Sequence, residues 1–68
     1  MLSNRDQAIQ ANLQSAVSWN VEYRGDAYAD ARKLDGVWYF RNAVARSYQT
    51  FLLQSHVIPV SENQAVSH

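Results

Sequence analysis

The stretch from residue 35 to 55, DGVWYFRNAVARSYQTFLLQS, constrains this chain more than any other, because it holds five of the eight aromatic residues and a sustained periodic pattern. Val37, Phe40, Val44, Tyr48 and Phe51 follow one another at spacings of three or four, which lines them along one side of a helix. Asp35 stands where an N-cap belongs, able to accept from the free backbone N–H groups of a first turn. The pattern predicts a helix of about five turns with a broad apolar face.

Upstream, Ser3 followed three residues later by Asp6 resembles a capping box with Asp in the usual Glu or Gln position. Ile9, Leu13, Val17 and Val21 then recur every four residues, and Gly25 falls where a left-handed glycine ends helices. A first helix over residues 4–24 follows. Asp26 caps a short middle helix over 27–34, built from AYADARKL, and Asp35-Gly36 ends it. With Gly25 and Gly36 both at helix boundaries, the chain reads as an all-α domain of three helices, a small helical bundle with a short middle helix. HVIPVSENQAVSH contains the single proline and ends in small polar residues, so residues 1–55 form the domain and 56–68 a loose C-terminal tail, in which Val57, Ile58 and Val60 could still pack back and order HVIPV.

A rival reading rests on the same residues. Val17, Trp19, Val21 and Tyr23 alternate with Ser18, Asn20, Glu22 and Arg24, as a half-buried strand does. Asp35-Gly36 between apolar runs is a hairpin signal, and VWYF has high strand propensity. That alternative is α+β, with a small antiparallel sheet from residues 17–24 and 37–41 flanked by two helices. Four- and two-residue periods coincide at Val17 and Val21, so periodicity alone does not choose.

Sixty-eight residues make one small domain, in the range where a single core is barely sufficient. Without cysteine there is no disulfide, thiolate metal site or thiol catalysis. A signal-peptide pattern and a long apolar run are both lacking, so the expected location is cytoplasmic, with no membrane partner. Six basic and six acidic residues cancel, unlike the excess of Lys and Arg that phosphate binding demands.

Candidate chemistry is sparse. His56 and His68 lie outside any regular pattern, and the metal-binding spacings HxxxH and HExxH are absent. Asp26 and Asp30, four apart, have the spacing of a carboxylate pair for acid–base work or a divalent ion, but capping and a solvated ion pair explain them more simply. The serines have no GxSxG context, and two isolated glycines build no phosphate loop. Arg24-Gly25-Asp26 spells an integrin-recognition tripeptide, yet here it coincides with a helix stop and start. These readings point to no enzyme, no cofactor and no metal.

The aromatic residues remain. Most serve to fill a small core. Trp19, Tyr23, Trp38 and Tyr39 are displaced from the inward stripes, and with Arg46 and Leu53 they form the predicted partner-binding set, since Trp, Tyr and Arg concentrate binding energy at interfaces. The expected function is a non-catalytic protein-interaction module, an adapter, regulator or inhibitor that presents an aromatic helix face to another protein or to a second copy of itself. The alternative is a nucleic-acid-binding transcriptional regulator, with Arg41 and Arg46 on a third helix entering the major groove.

Overall fold

The computed structural model describes residues 3–63. It contains one helix, α1 (Asn4–Gln14), and five strands: β1 (Ser18–Tyr23), β2 (Asp26–Leu34), β3 (Val37–Asn42), β4 (Ser47–Thr50) and β5 (Val57–Glu62). The strands make one antiparallel sheet in the order β4-β3-β2-β1-β5. The all-α bundle is therefore overturned, and the α+β alternative fits better. That alternative also needs amending: β2 lies between the two strands it named, and one helix rather than two covers the sheet.

Local chemistry explains each departure. The first helix does start at the Ser3 cap, whose side chain accepts from the Asp6 N–H at 3.1 Å. It stops at Gln14, because alternation wins from Ser18 onward. Both glycines sit in two-residue hairpin turns. Arg24 and Gly25 have φ of 52° and 87°, and Asp35 and Gly36 have 52° and 80°. Positive φ at both central residues is the turn whose twist matches paired strands. The long third helix fails at Asn42, whose side-chain oxygen accepts from the Val44 and Ala45 N–H groups at 3.0 and 3.1 Å. That local bond competes with helix and makes a turn. Val44, a residue of the expected inward stripe, is 95% exposed in this turn. The tail, too, is corrected: Val57–Glu62 pairs with β1, while residues 64–68, including His68, lie outside the described residues.

The sheet has two distinct faces. One carries Trp19, Val21, Tyr23, Tyr28, Ala31, Trp38, Phe40 and Val57. The segment running from the end of β4 to the start of β5 crosses this face and drops Phe51 into it, where it packs 4.7–5.0 Å from the rings of Tyr23, Tyr28 and Phe40. Ala31 pairs with Trp19 on one side and Phe40 on the other and is fully buried. A small residue there leaves room for both aromatic neighbours, which explains how an alanine-rich run serves as a central strand. The opposite face carries Ser18, Asn20, Glu22, Asp30, Arg32 and Tyr48, and α1 packs over its β2 and β4 side through Leu13.

Candidate protein-interaction surfaces

Beneath α1 lies a polar cluster. Ser18 Oγ, Arg32 Nε and Tyr48 Oη donate to the Asp30 carboxylate at 2.9, 3.0 and 3.1 Å. Burial pushes the Asp30 carboxyl up, but the hydrogen bonds from Arg32, Ser18 and Tyr48, with the Arg32 charge, outweigh it and hold the group below its ordinary value. Tyr48 moves oppositely: burial, the bond to Asp30 and the carboxylate charge raise its phenol against Arg32 and Arg41. Arg32 Nη1 donates to the carbonyls of Leu13, Gln14 and Ala16 at 2.9–3.1 Å, gathering acceptors at and just beyond the end of α1. Its guanidinium and that of Arg41 lie 5.3 and 5.5 Å from the Tyr48 ring centroid. This cluster docks the helix. Asp30, Ser18, Arg32 and Tyr48 are each hydrogen-bonded within it.

Side-chain amides extend the sheet where strands run out. Gln10 of α1 donates from Nε2 to the Tyr48 carbonyl at 2.9 Å and accepts at Oε1 from the Tyr48 N–H at 2.8 Å. Gln54 does the same for Trp38, at 3.0 and 2.6 Å. Asn63 Nδ2 donates to the Ala29 carbonyl at 2.7 Å, beside the irregularity where β2 holds one residue more than β1.

Two grooves open on the helix-bearing face. One, of about 600 Å³, lies between the end of α1 and the end of β5, and two of its polar walls, Arg32 and Asn63, make internal bonds. The other, of about 330 Å³, lies where α1 does not reach and is lined by Glu22, Ala27, Ala29 and Val60 among others. Beside it runs the outer strand β5, whose Ile58 and Val60 are 57% and 60% exposed. Among the described residues no three His, Asp or Glu side chains gather as metal ligands, and no helix is long and apolar enough to cross a membrane.

The residues singled out from sequence are scattered by this fold. Trp19, Tyr23 and Trp38 belong to the aromatic core, with Trp38 only 8% exposed. Tyr39 is half-buried on the opposite face, opposite Thr50. Arg46, at φ 56°, sits in the β3–β4 turn, and Leu53 lies on the crossing segment, where its N–H donates to Tyr23 Oη at 3.0 Å. The aromatic helix face does not exist, because the stripe that defined it is divided between two strands and a turn. The same division removes the helix that was to carry Arg41 and Arg46 into a groove of DNA. Asp26 and Asp30 part company, one at the hairpin and one under α1. His56 is exposed in a single 3₁₀ turn. Gln10, Ile58 and Val60 were missed; only the apolar run HVIPV carried a signal for the last two. Comparison with protein-family models, curated proteins and solved structures finds no match, so a functional reading rests on these residues alone.

Proposed function

We propose that this chain is a non-catalytic protein-interaction module whose contact surface is the apolar strip of β5 together with the groove behind it, and whose partner is a second copy of the chain. The observation that carries the reading is the exposure of Ile58 and Val60 on an outer strand beside uncovered sheet. Contiguous exposed apolar surface on a small domain marks contact sites. A two-fold contact uses the same patch twice, and an apolar strip is its own complement. Zero net charge imposes little self-repulsion, and a 68-residue core without disulfides gains from added burial.

Sedimentation equilibrium tests it. The wild type should show a concentration-dependent dimer, and Val60→Lys with Ile58→Lys should be monomeric with unchanged circular dichroism. A wild type that stays monomeric at high micromolar concentration would refute the reading.

A further inference from the structure

We propose that the outer edge of β4 is a strand-addition site for an extended acidic segment of a partner protein, held closed in this structure by Gln10. This site lies at the opposite end of the sheet from β5 and uses none of the β5 residues.

The first argument is geometric. In an antiparallel sheet a residue on one strand exchanges both N–H···O bonds with its partner. The Gln10 carboxamide makes that same pair of bonds to Tyr48, at 2.9 and 2.8 Å, and so stands where a further strand would lie. The Tyr48 backbone groups are aligned for a strand and occupied by a side chain.

The second argument concerns what holds Gln10 there. Leu13 is the buried residue of α1, Ile9 and Gln10 are half-buried, and the remaining helix positions are exposed. Eleven residues are too few to form a stable helix without docking. Its docking runs through Leu13 and half-buried Ile9, through Gln10 and through the Arg32 bonds at its end. Displacing the carboxamide leaves the aromatic core, on the other face, intact.

The third argument is charge. Two exposed arginines lie beside this edge. Arg46 directly precedes β4 and is exposed, and the exposed Arg41 reaches over the Tyr48 ring toward the edge. The neighbouring carboxylate, Asp30, is already taken up by Arg32, Ser18 and Tyr48. A segment with carboxylates at alternate positions complements this surface, while its backbone replaces the Gln10 amide.

The test uses a fluorescein-labelled peptide of alternating glutamate and valine, read by fluorescence anisotropy, with an alternating lysine–valine peptide as control. Gln10→Ala should bind the acidic peptide about tenfold tighter than wild type, since two competing hydrogen bonds are removed. Gln10→Met, which keeps the side-chain length and helix propensity, should do likewise and guards against a folding defect in the first variant. Arg41→Glu with Arg46→Glu should weaken binding at least tenfold, and added salt should weaken it in the wild type. On binding, the Tyr48 and Thr50 amides should gain protection from hydrogen exchange. Equal affinity of both Gln10 variants and wild type, equal binding of the lysine peptide, or protection confined to β5 would overturn the proposal. Val60→Ser with Ile58→Ser, which removes the apolar strip without changing the charge, should leave peptide binding unchanged, so failure of this site and failure of the β5 dimer are separately visible.

Discussion

On β4 the outward N–H and C=O of Tyr48 are covered by a side chain from another element, whereas β5 relies on its own sequence, with Pro59 lacking an N–H and an irregularity where β5 outruns β1 between Pro59 and Ser61. Both measures protect an exposed edge from indiscriminate pairing. They differ in permanence. A missing donor and an extra residue are covalent facts that no ligand reverses, so the contact proposed for β5 uses its apolar face rather than its backbone. A carboxamide is a removable cover, so the site proposed on β4 uses its backbone. The surroundings differ to match: apolar Ile58 and Val60 on one edge, Arg41 and Arg46 on the other.

The comparison holds only if α1 and its edge are energetically separable from the core. Phe51→Ala should have the largest effect, about 3–5 kcal/mol in urea unfolding, because it empties the centre of the aromatic face. It should lower the stability of both edges together. Arg32→Ala should cost about 1–3 kcal/mol and act unevenly, since it removes the bonds to the Leu13 and Gln14 carbonyls of α1 and to the Ala16 carbonyl just beyond it, and takes away the ion-pair partner of Asp30. Amides of α1 and the Tyr48 amide should exchange faster in that variant, with those of β1 unchanged. Equal acceleration across β1 and β5 would show that the two edges are one unit. Gln10→Met should cost about 1 kcal/mol and expose the Tyr48 amide alone.

The smallest effect is with pH. The folded Asp30 carboxyl titrates below its unfolded value, so its contribution is present above about pH 4 and is lost as pH falls through the lower folded value. With the Asp30 side chain 38% exposed, solvent screening keeps this to under about 1 kcal/mol. Acid titration followed by NMR should show α1 and β4 resonances moving in that window, and Asp30→Asn should abolish the movement. Movement of the aromatic-face resonances in the same window would contradict the separation.

Several elements were legible in the residues, and the reasons others were not are specific. The Ser3 cap is local, made by a side chain three residues from its donor, and it is found where it was read. The Asp35-Gly36 hairpin signal is also local and also present, although it was ranked below a helix boundary. In Val17, Trp19, Val21 and Tyr23 two periods coincide, and only the presence of β2 and β5 on either side of β1 decides between them. The helical spacing of Val37, Phe40, Val44, Tyr48 and Phe51 is a coincidence of two strands and a four-residue turn. Phe40 and Phe51 meet at 5.0 Å on one face, Tyr48 points to the other, and Val44 faces solvent. Gln10 had no signal at all, since nothing in a polar helical glutamine tells of a backbone group 38 positions away.

By itself the sequence determined a small, neutral, cysteine-free chain with an N-terminal helix cap, breaks at Gly25 and Gly36 and aromatic residues enough for a core. These follow from composition and from contacts a few residues apart. Tertiary structure alone decided which of two periods each apolar run obeys, which aromatics are buried and which backbone edge is covered. Those outcomes depend on strand neighbours distant in the chain, because a strand's hydrogen bonds, unlike a helix's, are made with another segment.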